Sequence, residues 1–354
     1  MAYGLVLTCR WGDYLTVPSL RVDTDEMERR ILVMRILILG GTGSTGHAII
    51  GDLRGRAESF DITVISRATR ELPGATKVLT GHYAQVVPSA SFKDDLASLD
   101  AVVHLADGLA DLQSVRPATD TRLADQLVAG SREVAIAVRD ARVRRFIYVS
   151  SIKAICGEDD ERVLTEASTP APSSLYGRSK LRLEHTLQQV FERSATKLVI
   201  LRNPVMYAPG KRGSIHRLVM LAAAPWPLPF GRLHNKRSLL GVSNFAGALA
   251  AVIRSGPNGP AGVFHVHDGQ PLSTTELVTT LRSALGRPAR LYPVGSVARL
   301  ARQLPLVGPL ARRLYGSLEI SDEHFRQSFA WSPLVETRVG LAELARRALA
   351  HRDL

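Results

Sequence analysis

Tyr176 and Lys180 lie in the run Tyr176-Gly177-Arg178-Ser179-Lys180, and a spacing of four puts two side chains on one face of a helix. An ammonium beside a phenol stabilises the phenolate and lowers the tyrosine pKa from about 10 towards neutrality. The phenol then becomes usable as a general acid or base on a carbonyl/alcohol pair. Ser151 ends the apolar run 145–150 and precedes Tyr176 by 25 positions, so its hydroxyl can hold the same oxygen from the other side. Tyr-x-x-x-Lys alone is usually a surface helix pair. With a serine at a strand end and a glycine loop upstream, Ser151, Tyr176 and Lys180 read as a catalytic set.

The glycine loop is Gly40-Gly41-Thr42-Gly43-Ser44-Thr45-Gly46. It stands between an apolar strand and a helix start, where the chain must turn tightly, approach a pyrophosphate with its backbone and offer helix N–H groups to the anion. Gly40, Gly43, Ser44, Thr45 and Gly46 are therefore expected to bind a dinucleotide. The second strand ends Val64-Ile65-Ser66-Arg67, with Arg70 close by. An acidic residue there would favour NAD, whereas an arginine can pair with a 2′-phosphate. The expected cofactor is NAD(P), leaning to NADP through Arg67; the alternative is that Arg67 is a solvated surface charge.

These residues need a scaffold, and the periodicity supplies one. Strands are expected at 35–40, 62–66, 77–79, 101–105, 145–150 and 197–202, with helices near 45–55, 121–141 and 175–193. Strand alternating with helix at this spacing predicts an α/β fold, a Rossmann doubly wound parallel sheet. After residue 203 a series of prolines and glycines breaks the chain into loops, followed by a strand over 262–267 and a helix over 274–285. The expected organisation is an N-terminal extension without clear period (1–33), a dinucleotide-binding domain (34–203) and a smaller C-terminal substrate lobe (204–354). That lobe is expected to interleave with the last strands of the sheet.

The 354 residues are 45% apolar and 22% charged, which excludes a disordered or fibrous chain. Two cysteines cannot build a disulfide framework or a four-ligand zinc site, and Cys156 is expected to be an inert loop thiol. No apolar run reaches the roughly 18 residues of a membrane span, so the expected location is cytoplasmic. Forty-five Lys plus Arg against 33 Asp plus Glu leave a net charge of +12, which suits a polyanionic partner: nucleic acid, a membrane surface or a phosphorylated metabolite. The basic residues are scattered and aromatics make up only 6%, which argues against a nucleic-acid surface. His265, His267 and Asp268 lack a further ligand at suitable spacing, so no metal site is expected. Arg312-Arg313 reads as a solvated helix face.

Taken together, the motifs resemble the extended short-chain dehydrogenase/reductases of the NAD-dependent epimerase/dehydratase family, over roughly residues 34–345. Ser151, Tyr176 and Lys180 match that family's catalytic positions, and Gly40, Gly43 and Gly46 its cofactor loop. His104-Leu105-Ala106 and the run Leu201-Arg202-Asn203-Pro204-Val205-Met206-Tyr207-Ala208-Pro209-Gly210 match further segments. The resemblance implies that Leu105, Ala106, Tyr176, Lys180 and Pro204 contact the cofactor, that Ser151, Tyr176 and Asn203 contact substrate, and that the protein is a homodimer joined through the helices near 121–141 and 175–193. Positions that depart from the family pattern are His82, Asp107, Leu127 and Ser243.

A narrower likeness, in Ser150-Ser151-Ile152-Lys153, Pro227-Leu228-Pro229-Phe230-Gly231 and Asn235-Lys236-Arg237-Ser238-Leu239, is to a branch that includes UDP-N-acetylquinovosamine-forming 4-ketoreductases of surface-polysaccharide pathways. There Arg237 would grip the diphosphate of a UDP-sugar; the alternative is a lobe-surface arginine. The implied reaction is reduction of a UDP-4-keto-6-deoxyhexosamine at C4. The alternatives are a UDP-glucose 4-epimerase-type reaction, reduction of a non-nucleotide carbonyl, and a silent NADP(H)-binding sensor.

Overall fold

Short apolar runs become strands, and the amphipathic stretches between them become the helices that cover the sheet. The computed structural model describes residues 33–350 apart from 57–58, 68–70, 106–120, 211–212, 296–299 and 305–306. Its first part runs β1 (Met34–Leu39), α1 (Ser44–Arg54), β2 (Phe60–Ser66), β3 (Lys77–Thr80), α2 (Tyr83–Val86), α3 (Lys93–Ala97), β4 (Ala101–His104), α4 (Arg122–Asp140) and β5 (Arg145–Ser151). The middle holds β6 (Val163–Leu164), α5 (Leu175–Phe191), β7 (Lys197–Asn203), β8 (Val205–Tyr207), α6 (Ser214–Ala222), β9 (Leu228–Gly231), β10 (Leu239–Gly241) and α7 (Val242–Arg254). The last part holds β11 (Gly262–His265), α8 (Thr274–Ala284), β12 (Leu291–Pro293), α9 (Gly308–Tyr315), β13 (Glu319–Ile320), α10 (Glu323–Phe329) and α11 (Thr337–Ala350).

Seven strands pair in the order β11-β7-β5-β4-β1-β2-β3, every neighbouring pair parallel. Both faces are covered, which is why β1 and β4 are near-continuously apolar. Ile36 and Ile38 face one core, shared with Leu53 of α1 and Phe245 and Leu249 of α7. Leu37 and Leu39 face the other, with Val134 of α4 and Leu183 and Leu187 of α5. The period-two alternation of a pleated strand thus feeds two layers at once.

The order of connection reverses between β1 and β4, and the parallel register brings the C-terminal ends of the strands to one edge. Leu39 stands opposite His104, and Ser151 opposite Asn203. In such sheets the crevice outside the strand ends, at the reversal, is where ligands bind.

The second half builds a lobe around Leu218 and Val219 of α6, Leu277 and Leu281 of α8, and Leu341 and Leu344 of α11. The helix α8 starts with a capping box in which Ser273 Oγ accepts from the Glu276 amide and the Glu276 carboxylate accepts from the Ser273 amide. The chain then contributes to the main sheet again, because β11 pairs with β7. That edge is stitched by fully buried Arg145, whose Nε and Nη2 donate to Gly256 O at 2.9 and 2.6 Å and whose Nη1 donates to Pro260 O at 3.0 Å.

The strand expected over 262–267 ends at His265. Asp268 turns inward instead, where its carboxylate accepts from Gly241 N, Asn244 Nδ2 and Tyr207 OH, and Gly269 at φ +93° donates its amide to His267 Nδ1. Ala106, Arg70 and Asp107, and residues 1–32 of the expected extension, lie outside the described residues.

Candidate active site

Gly40 follows β1 with φ +86°, a left-handed conformation that glycine adopts without penalty. A Cβ at Gly46 would stand 2.3 Å from Gly40 O and 2.6 Å from Gly41 Cα, so only glycine lets α1 start this close to the loop. Gly43 caps α1 with no side-chain hydrogen bond to the first-turn amides, no acidic residue occupies that turn, and Gly43 and Ser44 are exposed while Thr45 is half-buried. This is a helix N-terminus with its backbone donors turned outward, the arrangement a dinucleotide pyrophosphate requires. The loop fits the cofactor. Leu105, at the end of β4, is half-buried and donates its amide to Leu39 O at 2.9 Å, which places it beside the loop. Arg67 is exposed immediately after β2.

Ser151 ends β5 half-buried, and its Oγ accepts from the Lys153 amide at 3.3 Å at the start of a 3-10 turn, Ile152–Ala154. Opposite that turn lies the first turn of α5, capped by Ser174, whose Oγ accepts from the Gly177 amide at 3.0 Å. The approach is close: a Cβ on Gly177 would stand 2.2 Å from Lys153 O. Gly177 therefore decides how near Tyr176 comes to the end of β5. Lys180, one turn on, is buried; its Nζ donates to Val149 O at 3.0 Å and stands 5.7 Å from the Tyr176 ring centroid and 5.0 Å from that of Tyr148. The strand end and the helix start place the face of Tyr176 and Lys180 against the turn that follows Ser151. The apolar side chain of Leu127 packs on the core, and Lys180 donates to the β5 carbonyl of Val149.

Sequence reasoning overlooked the group that fixes this helix. Glu184 continues the face of Tyr176 and Lys180 by one more turn and is 1% exposed as a side chain. Its carboxylate receives Arg202 Nη2 at 2.6 Å and Nε at 3.1 Å, and it also accepts from Ser150 Oγ. One acidic residue thus ties α5 to β5 and β7. The signal was available as the i, i+4, i+8 series 176, 180, 184.

Asn203 ends β7 beside Ser151 and is buried; its Nδ2 reaches only Met206 Sδ at 3.6 Å, and its Oδ1 is buried without a partner. Pro204 is buried next to it. Arg237 is 6% exposed, so it is not a lobe-surface arginine. Its Nη1 donates to Glu158 O and Gly316 O, each at 3.2 Å, which leaves the Nε/Nη2 edge of the fork available. Burial lowers its pKa to about 10, which still leaves it cationic at neutral pH. Arg237 lines a cavity of about 240 Å³ with Arg217 and Leu218 of α6, Leu277 of α8, and Leu310 and Arg313 of α9. Arg312 and Arg313 are therefore not a solvated face: Arg313 Nε donates to Glu158 Oε2 at 3.1 Å and Arg312 Nη1 to Arg302 O at 2.8 Å.

The remaining candidates are structural. His265 is fully buried, and burial together with the Arg202 cation pushes its pKa down to about 3, so it is neutral. His267 Nε2 faces Asp322 Oδ1 at 3.2 Å. Cys156 Sγ points at Ile152 O at 3.3 Å, and burial pushes its thiol up to about 11. His82 caps α2 by accepting the Ala84 amide and stacks on Tyr83.

Among known proteins, the chain is 29% identical over 325 residues to a UDP-glucose 4-epimerase of Vibrio cholerae, covering 89% of this chain and 95% of the relative. It is 25% identical over 310 residues to a 3-diazoavenalumate denitrifying reductase of a Streptomyces species, covering 85% and 96%. Its fold superposes on the UDP-N-acetylglucosamine 4-epimerase of Bacillus cereus with a TM-score of 0.69 at 18% identity, covering 88% of this chain and 98% of that one. The Bordetella bronchiseptica enzyme WbmG in complex with NAD gives 0.67 at 22%, covering 92% and 97%. Residues 36–266, from the strand that leads into the glycine loop to the one that closes the sheet, match the NAD dependent epimerase/dehydratase family, and the chain belongs to that family as an enzyme of the extended short-chain dehydrogenase/reductases.

Proposed function

We propose that this protein reduces a UDP-linked 4-keto-6-deoxyhexosamine at C4 with a nicotinamide cofactor. The observation that carries the reading is the buried, cationic Arg237 on a cavity of about 240 Å³ lined by residues of α6, α8 and α9. A buried guanidinium with an available edge suits a diphosphate, because its fork matches two anionic oxygens at once. The orphaned Oδ1 of Asn203, between that cavity and Ser151 in the chain's layout, accepts a sugar or ribose hydroxyl.

In the reaction, Tyr176 exchanges a proton with the C4 oxygen, and the Lys180 ammonium favours the phenolate as that proton leaves. Ser151 Oγ orients the same oxygen, held in turn by the Lys153 amide. The nicotinamide, when bound, supplies the hydride. The N-terminus of α1 holds the pyrophosphate, and Arg67 selects the 2′-phosphate of NADP.

A second reading, interconversion of C4 epimers with the cofactor retained, is favoured by the epimerase relative that spans 89% of this chain. The test mixes purified protein with NADPH or NADH and a UDP-4-keto-6-deoxy-N-acetylhexosamine and follows the near-ultraviolet absorbance of the reduced nicotinamide. Loss of absorbance, faster with NADPH, is the expected result. No loss, with interconversion of UDP-glucose and UDP-galactose, replaces the reductase by the epimerase; no turnover in either assay and no UDP binding points to a carbonyl substrate without a nucleotide.

A further inference from the structure

Between the arginine-lined cavity and Ser151 lies a charge cluster in which three cations meet at Glu158, two at its carboxylate and one at its main-chain oxygen. Glu158 Oε2 accepts from Lys153 Nζ at 2.9 Å and from Arg313 Nε at 3.1 Å, while the main-chain oxygen of the same residue accepts from Arg237 Nη1 at 3.2 Å. Lys153 Nζ also donates to Gly157 O at 2.6 Å, which closes the loop 153–158 on itself. The backbone of Lys153 is the group that donates to Ser151 Oγ. The neighbouring Asp159 also acts on Arg237, and it shares Arg302 Nη2 with Glu161, at 2.7 and 2.8 Å. Lys153, Arg237, Arg302 and Arg313 against Glu158, Asp159 and Glu161 leave one positive charge in surplus at a partly buried place, with side-chain exposures of 17% for Lys153 and 20% for Glu158. A low-dielectric site with surplus cation charge is poised for an anion.

We propose that Glu158 is a positioning residue that couples anion binding in the arginine-lined cavity to the placement of Ser151. The inference rests on the nucleotide-diphosphate reading of that cavity. A diphosphate seated on Arg237 and Arg313 draws on the two groups that Glu158 holds, one through its carboxylate and one through its carbonyl. The displacement passes through the Glu158–Lys153 pair to the turn whose amide holds the serine hydroxyl. Ser151 is then set for chemistry only when the diphosphate end of a substrate is in place.

The test uses the full chain, with UDP as the probe. Saturating UDP should slow hydrogen exchange of the amides in 151–158 of the wild-type protein, the readout of a locally stabilised loop. Glu158→Gln, which keeps the carbonyl and the shape, should bind UDP within about threefold of wild type, lose that protection, and lower kcat about tenfold at little-changed KM; Glu158→Asp should restore part of both. A merely structural role would not split kcat from KM, nor remove protection while UDP stays bound. UDP binding to the wild type without protection of 151–158, or Glu158→Gln retaining both protection and kcat, overturns the coupling alone. Failure of the wild-type protein to bind UDP overturns the nucleotide reading and the coupling with it.

Discussion

Tyr176 and Lys180 face the same way because four residues advance α5 by just over one turn, and Gly177 lets that face close on the turn after Ser151. If the phenol is the proton-transferring group, Tyr176→Phe keeps the fold, because the ring remains, and lowers kcat by about 10²–10⁴-fold; initial rates beside an unchanged circular-dichroism spectrum check this. Glu158 gives a second prediction at this scale. Burial alone would raise its pKa, but the hydrogen bonds and charges of Arg313 and Lys153 outweigh burial and hold it at about 2, below the usual 4.5. A depressed carboxylate contributes stability that is fully present above about pH 4.5 and is lost as pH falls towards 2. The Tm difference between wild type and Glu158→Gln should therefore be constant near neutrality and shrink over that window; a difference that does not change with pH contradicts the pairing. The candidate residues Ser151, Tyr176 and Lys180 stand out in the sequence because the chemistry they could do shows in residue type and spacing. Glu158 and Lys153 do not, since nothing in a linear run says which distant arginine meets a loop carboxylate.

At the scale of elements, the parallel strands were legible to within a residue or two, because a strand covered on both faces cannot afford polar side chains. The ribbons β6/β13, β8/β10 and β9/β12 were not, since strands of two to four residues carry no usable period and pair across long stretches of chain. The helix α5 is held to the sheet through the buried Glu184–Arg202 pair. Removing one partner strands the other charge in the interior, so Glu184→Ala is expected to cost about 3–5 kcal/mol, against little for Glu133→Ala on the exposed face of α4. Denaturant midpoints of the two variants, with the m-value held, measure it.

At the scale of the whole molecule, the net charge of +12 pointed to a polyanionic partner, yet many arginines serve internal ends. Arg145 stitches a sheet edge, Arg202 anchors a helix, and Arg302 and Arg313 meet the acidic loop at 158–161. Composition counts such residues as free surface charge; the fold shows Arg145 and Arg202 buried and Arg302 and Arg313 paired with carboxylates. The strand β11 arrives from beyond the lobe formed after β7, and both are needed for a closed sheet edge. A chain cut after Arg254 would expose β7 as a long apolar edge, and we expect it to aggregate on expression where the full chain stays monodisperse in size-exclusion chromatography. The same threading bears on how such proteins diversify. Because the lobe takes α6 and β9 from before β11 and α8 and α11 from after it, it is threaded through the sheet and cannot be lifted out as one uninterrupted insert. A recombination event that transplants it must carry β11 along with it or cut on both sides of that strand in register, and descent by piecemeal substitution around a retained frame is the easier route to a new ligand.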